Sequence, residues 1–68
     1  MIEIRLKEVL EQQEKTVYWL FKQTGISQNS LGKLVKGETT SIRFDVLDNI
    51  CIALNCEVGD IIKHVSNK

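Results

Sequence analysis

The stretch of sequence that decides the fold is Thr24–Leu34, which reads Thr-Gly-Ile-Ser-Gln-Asn-Ser-Leu-Gly-Lys-Leu. This pattern predicts the end of one helix, a tight turn and the start of another helix. Gly25 can take the positive φ that such a turn needs, and the Ser27 hydroxyl can accept a hydrogen bond from a free amide of the following helix. The stretch therefore predicts two helices joined by a short turn.

The later of these two helices has an apolar side and a polar side. Leu31, Leu34 and Val35 fall at i, i+3 and i+4, so they share one face of a helix. The amide and lysine side chains on the other face are those of Asn29, Lys33 and Lys36. A short polar face on a helix that another helix braces is suited to reading DNA.

Charged residues are segregated along the chain. Residues 15–37 contain four lysines and no acidic residue, which gives them a charge of +4. The chain has nine basic and nine acidic residues in all, so the remainder holds nine acids and five bases, or −4. A net charge of zero argues against a nucleic-acid binder, but this distribution predicts one positive face for phosphate and an acidic back that limits non-specific binding.

Length and composition restrict the class of protein. Sixty-eight residues with 43% hydrophobic and 26% charged residues predict one globular domain over 1–68. No apolar run approaches the roughly 20 residues of a membrane-spanning helix. The first ten residues alternate apolar with charged residues, unlike a secretion signal. We therefore expect no membrane partner, and the DNA-reading helix together with unpaired cysteines leads us to expect a cytoplasmic protein associated with the nucleoid.

Neither the cysteines nor the histidine predicts a chemical site. Cys51 and Cys56 are five residues apart, which matches no zinc or redox spacing, and we expect both to be buried free thiols. His64 is the only histidine, so a metal site would lack ligands. Without a nucleophile–base pair or a glycine-rich phosphate loop, the sequence predicts no enzyme, cofactor, metal or small-molecule ligand.

Apolar spacing predicts the remaining elements. Helices are expected at about 5–14, 16–24, 27–36 and 43–54, with a short turn or helix at 57–61. Thr16 is expected to cap the second helix. In the fourth helix the residues expected to face the core are Phe44, Leu47, Cys51 and Leu54. The β-like composition of residues 1–4 and 61–65 favours two short strands that pair with each other.

The whole pattern resembles the phage-repressor and Cro-type helix-turn-helix domains, often called the XRE-like family, over residues 6–62. The matching residues are Leu20, Gly25, Ile26, Leu31, Leu34 and Gly37, followed by residues 47–56 and by Gly59, Asp60 and Ile61. The resemblance implies an all-α, five-helix, lambda-repressor-like domain with 27–36 as its recognition helix. Val17 and Phe21 depart from the pattern, since the family usually has a polar residue at the first position and a small one at the second.

The resemblance also implies which side chains would touch DNA. In this family the third helix lies in the major groove, and two copies bind half-sites about one helical turn apart. The side chains expected at base edges are Gln28, Asn29, Ser30 and Lys33. The side chains expected at phosphates are Thr16, Tyr18, Lys22, Ser27, Lys36, Thr39, Thr40, Ser41 and Arg43. A glutamine or asparagine amide suits adenine, because it presents a donor beside an acceptor.

Two apolar features are left over by this assignment. Trp19 is expected to point away from the core, where it either folds over the stem of Lys15 or Lys22 or contacts a partner or the DNA backbone. A second stripe on the fourth helix consists of Val46, Ile50 and Ala53. This stripe is either a dimer contact or packs against the first helix or the tail.

The leading interpretation is a transcriptional regulator that binds specific double-stranded DNA and is a homodimer when bound. The alternative is a protein-interaction or antitoxin-like module that keeps the scaffold and has little affinity for DNA. Neutral net charge, the apolar Val17 and the expected exposure of Trp19 support this alternative.

Overall fold

A computed structural model of the chain describes residues 1–66. The elements in chain order are β1 (Ile2–Ile4), α1 (Leu6–Gln12), α2 (Val17–Thr24), α3 (Gln28–Lys36), α4 (Phe44–Leu54), α5 (Val58–Ile61) and β2 (Ile62–His64). The prediction of five helices with extended segments at both ends is confirmed.

One apolar core holds all five helices together. Its ten buried residues are Leu6, Val9, Leu10, Leu20, Leu31, Leu34, Leu47, Ile50, Leu54 and Ile61. Among residues 1–66 no polar or charged residue is buried with them. Because burial of apolar area contributes roughly 25 cal/mol per Å², this cluster is the main stabilising term for a chain of this size.

α4 presents a different face to the core from the predicted one. Ile50 is fully buried at 0% exposure, whereas Phe44, which was expected to face inward, is 87% exposed. Leu47 and Leu54 are buried as predicted, and Cys51 lies half-buried at the flank. Phe44 is the first residue of the helix and has no element packed over it, while Ile50 lies at the middle, where the helices meet. The prediction of an inward Phe44 was wrong.

The two chain ends form one antiparallel ribbon. β1 pairs with β2 in a register that places Ile2 opposite His64, Glu3 opposite Lys63 and Ile4 opposite Ile62. The Met1 ammonium donates to the Val65 carbonyl at 2.8 Å, and the Val65 amide donates to the Met1 carbonyl at 2.7 Å. The pairing of the two ends predicted from their composition is confirmed.

The end of α4 brings the two cysteines towards each other. Asn55 takes a left-handed φ of 51°, so that the Cys56 amide donates to the Cys51 carbonyl at 3.1 Å and the chain turns back. Both thiols are free and half-buried rather than buried, which corrects the sequence prediction. Partial burial, with smaller effects from Cys51 and Asp60, raises the pKa of the Cys56 thiol to about 11.

We expect Gly32→Ala to stabilise the fold. Gly32 lies inside α3 without a positive φ, and a Cβ there would meet no atom within 4 Å. Removing the flexibility of glycine from a helix interior should raise the free energy of unfolding by about 0.5–1 kcal/mol. Gly25→Ala is the matched control, because its φ of 76° strains any side chain, and urea denaturation should show it destabilised.

Stability should fall in the alkaline range because of Cys56. Its folded pKa of about 11 lies above the ordinary value of 9.0, so the folded state holds its proton longer than the unfolded state. The free energy of unfolding should therefore decrease as the pH rises from 9 to 11. Denaturation of the parent chain and of Cys56→Ala over this range checks the prediction, and equal slopes for the two proteins would contradict it.

Candidate nucleic-acid interface

The turn between α2 and α3 is fixed by backbone and hydroxyl hydrogen bonds. Gly25 has a φ of 76° and its amide donates to the Phe21 carbonyl at 2.8 Å. The Thr24 hydroxyl donates to the Leu20 carbonyl at 2.8 Å and accepts from the Ile26 amide at 3.1 Å. These bonds satisfy groups that a helix end leaves free, so the direction in which α3 leaves α2 is well defined.

Both ends of α3 are capped by residues of the expected type. The Ser27 hydroxyl accepts from the Ser30 amide at 3.2 Å and donates to the Ser30 hydroxyl at 3.0 Å. Gly37 ends the helix in a left-handed conformation, with a φ of 72°. The capping role of Ser27 predicted from the sequence is confirmed, and its hydroxyl is already engaged in the free protein.

α3 has one side in the core and one side in solvent. Leu31 is 0% exposed and Leu34 is 4% exposed, and both belong to the buried cluster. The side chains that the sequence predicted for base contact, together with one lysine at the helix end, are all exposed: Gln28, Asn29, Ser30, Lys33 and Lys36. The polar side of α3 therefore stands clear of the protein body.

Most side chains predicted to contact phosphate are also accessible. The exposed members of that set are Thr16, Tyr18, Lys22, Ser27, Lys36, Thr40, Ser41 and Arg43, and Thr39 is half-buried. The Thr16 hydroxyl caps α2 by accepting from the Trp19 amide at 3.0 Å. The Arg43 guanidinium pairs with the Asp45 carboxylate at 3.2 Å, so a phosphate would have to compete with that carboxylate.

Two lysines of the acid-free segment 15–37 lie over aromatic rings of α2. The Lys22 ammonium is 5.5 Å from the centre of the Tyr18 ring and 5.8 Å from that of Phe21. The Lys15 ammonium is 4.7 Å from the centre of the Trp19 ring. Cation–π attraction at these distances contributes about 0.5–1 kcal/mol at exposed sites.

Trp19 is half-buried and packs against the core, so its expected outward position is corrected. Of the alternatives open at the sequence level, the one that places Trp19 beside Lys15 agrees with the geometry, in which the ammonium rather than the stem lies over the ring. Lys15 and Trp19 are four residues apart across the start of α2, a spacing that brings their side chains together.

The second apolar stripe of α4, expected either at a dimer contact or packed within the domain, is largely internal. Ile50 is fully buried in the core and unavailable to a second chain, so packing within the domain is the alternative that holds for it. Val46 and Ala53 are half-buried and pack against the core. The exposed apolar residues of α4 are Phe44 and Ile52, at 87% and 70% exposure. The stripe of Val46, Ile50 and Ala53 was expected to lie outside the core because Phe44 had been assigned to the face of α4 that packs inside.

The helices formed by residues 1–66 are too short or too polar to span a bilayer. The same residues contain no cluster of three or more side chains that could hold a metal ion.

Residues 5–67 match the model of the Cro/C1-type helix-turn-helix DNA-binding domain. The chain belongs to this family. The match covers the turn, α3 and the short helix α5, and it confirms the family that the sequence resembles. The family is defined by DNA binding and is not a class of enzyme.

Two related proteins agree with this assignment. The chain is 33% identical over 65 residues to the uncharacterized HTH-type transcriptional regulator YozG of Bacillus subtilis (strain 168), a match that covers 96% of this chain and 77% of YozG. The fold is similar to the crystal structure of a candidate DNA-binding protein from Bacteroides fragilis, with a TM-score of 0.82 and 27% identity. That similarity covers 93% of this chain and the whole of the other.

We expect Ser27→Ala to destabilise the protein through loss of the α3 cap. The Ser30 amide would lose its acceptor, which should lower the free energy of unfolding by about 1 kcal/mol. Ser27→Asp retains a capping oxygen and should stay close to the parent chain in thermal denaturation. If alanine and aspartate at this position were equally stable, the hydroxyl would not be acting as a cap.

Proposed function

We propose that the chain is a transcriptional regulator that binds specific double-stranded DNA and acts in the cytoplasm by occupying its site. The observation that carries this proposal is the side-chain distribution of α3. Leu31 and Leu34 anchor one side of the helix in the core, while five polar side chains on the other side are exposed. A helix held in this way can enter a major groove without unfolding any part of the domain.

Gln28 and Asn29 are the proposed base readers. Both lie in the first turn of α3, where side chains project from the helix end, and both are exposed. Each amide can form a paired contact with adenine, and a contact of this kind discriminates between bases by about 1–3 kcal/mol. Ser30 and Lys33 extend the same surface along the helix, and a lysine favours the acceptors of guanine.

The lysines around α3 are the proposed source of affinity that does not depend on sequence. Lys22, Lys33 and Lys36 are exposed, and no acidic residue occurs between residues 15 and 37 to neutralise them. Aromatic rings already restrict Lys22, so less side-chain entropy is lost when its ammonium meets a phosphate. Phosphate contacts of this kind set the register of the protein on the duplex.

We also propose that the active form is a homodimer on DNA. A single α3 has nine residues and reaches only a few base pairs, so two copies on half-sites one helical turn apart supply the specificity that one copy lacks. The match to a transcriptional regulator from Bacillus subtilis supports the regulatory role.

A protein-interaction or antitoxin-like module remains the second candidate. Two observations favour it: net charge is zero, and Val17, at the first turn of α2, is apolar and half-buried where the family usually has a polar residue. Fluorescence anisotropy against a mixed pool of duplexes at two salt concentrations separates the two functions. A DNA reader must bind at low salt and lose affinity as the salt concentration rises.

Gln28→Ala and Asn29→Ala should relax base preference. Each change removes a paired contact, so the ratio between preferred and unrelated duplexes should fall by the equivalent of about 1–3 kcal/mol. Selection of bound duplexes from a random pool identifies the preferred site, and anisotropy then gives both affinities. Gln12→Ala is the matched control, because Gln12 is an exposed glutamine at the end of α1, outside the acid-free segment.

Lys36→Ala should weaken binding to all duplexes by a similar factor and reduce the slope of log affinity against log salt by about 1. Lys7→Ala, at an exposed lysine of α1, should leave both quantities unchanged. Uniform losses across sequences for the two amide variants would contradict the base-reader assignment.

A further inference from the structure

The ribbon of β1 and β2 has two outer edges, and its register shows which backbone groups point outward at each edge. Met1 and Val65 exchange both backbone hydrogen bonds, and the Arg5 amide donates to the Ile61 carbonyl. Bonded and non-bonded pairs alternate along an antiparallel ladder, so Glu3 and Lys63 form the bonded pair between them. The amide and carbonyl groups of Ile2 and Ile4 therefore point away from β2, towards the outer edge of β1.

A groove runs beside this strand. It has a volume of about 840 Å³, and residues 1–5 form one wall while residues 39–42 of the loop after α3 form the other. Ile4, Ile42 and Ile62 contribute apolar surface to it. Ile2 and Met1, at 60% and 63% exposure, are among the most exposed large apolar residues of the chain. An extended segment laid along β1 would occupy this groove and cover part of that surface.

The occupant that the edge requires is a β-strand. Two outward amides and two outward carbonyls, spaced two residues apart, are met by the alternating groups of an extended chain. A two-stranded ribbon is also only marginally stable alone, and further strands strengthen it. Charged side chains and proline commonly protect free edges, and the one charged side chain of β1, Glu3, is already paired with Arg5.

Charge selects β1 of a second copy as that strand. Arg5 lies 2.8 Å from Glu3 and 3.7 Å from Glu8, and together with the Met1 ammonium these groups sum to zero charge, so two such edges do not repel. The other exposed candidates for self-association are less suitable. β2 would bring two Lys63 side chains together, and α4 would bring two Asp48 side chains together.

We propose that two copies of this chain associate through antiparallel pairing of their β1 strands, which merges two ribbons into one four-stranded sheet. The two-fold axis passes at Glu3, so that Ile2 of each copy exchanges two backbone hydrogen bonds with Ile4 of the other. The two Glu3 carboxylates face each other across the axis, and each is neutralised by its own Arg5. Ile2 and Ile4 of both copies form an apolar cluster on the opposite face of the sheet.

This inference rests on the proposed function, because it identifies the interface of the dimer proposed there. Its test uses no DNA, so the two can fail separately. Loss of DNA binding with intact β1 pairing would overturn only the proposed regulatory function. DNA binding by a chain that never pairs through β1 would overturn only the proposed interface.

The sharpest experiment removes single backbone donors by chemical synthesis, which a chain of 68 residues allows. N-methylation of Ile2 removes an amide from the outer edge of β1, and N-methylation of His64, directly opposite, removes one from the outer edge of β2. Sedimentation equilibrium should show a dimer for the parent chain. Methylation at Ile2 should raise the dimer dissociation constant about tenfold or more, since the symmetric pair loses two hydrogen bonds, whereas methylation at His64 should leave it unchanged.

Two substitutions and a second measurement distinguish loss of pairing from loss of folding. Ile2→Lys should dissociate the dimer while His64→Lys should not, and circular dichroism at low concentration should show both folded. In hydrogen exchange of the parent chain, the Ile2 and Ile4 amides should become protected as the concentration rises, while the His64 amide should not. A parent chain that stays monomeric to about 1 mM, or a dimer that methylation at His64 breaks and methylation at Ile2 spares, would overturn the proposal.

Discussion

Every property of the polar side of α3 depends on the burial of its other side. Leu31 is completely buried, and so is Leu20 of α2, which belongs to the same cluster. Because these two leucines anchor both helices in the core, the turn at Gly25 only sets the relative direction of the helices and is not what stabilises them. The result is a rigid support for exposed amides and lysines. Rigid placement matters for recognition, since a contact that must first be ordered loses part of its free energy.

Local chemistry explains why the sequence predicted this part of the molecule well. Gly25, Ser27 and Gly37 act through their own backbone conformation or through groups three residues away, and the structure has each of them in the expected state. Prediction failed where tertiary packing decides. In α4, Leu47 and Leu54 fit both the predicted face and the observed one, and only the neighbouring helices select Ile50 over Phe44. Trp19 was misplaced for the same reason, and the assignment of base and phosphate contacts stays a prediction.

Charge distinguishes the two proposed surfaces. The four lysines of residues 15–37 concentrate positive potential around α2 and α3, whereas β1 carries one acid and ends beside Arg5, with which that acid pairs. Pairing at β1 joins two such edges, and Thr39, Thr40 and Ser41, which line the groove beside β1, would then lie at the dimer contact rather than at phosphate. Exposed acids on α1 and α4, such as Glu11 and Asp48, oppose close approach of those helices to a second copy or to phosphate.

Small size gives a physical reason for association at the ribbon. A domain of this length buries only about 60% of the surface that its unfolded chain exposes, so some apolar surface must remain outside. Here the core takes ten residues from the five helices, and the ribbon is left with Met1 and Ile2 largely in solvent. A strand added by a different protein would cover the edge of β1 on one chain only. A second copy covers the equivalent edge on both chains in a single event and gives the symmetry that paired half-sites in DNA require.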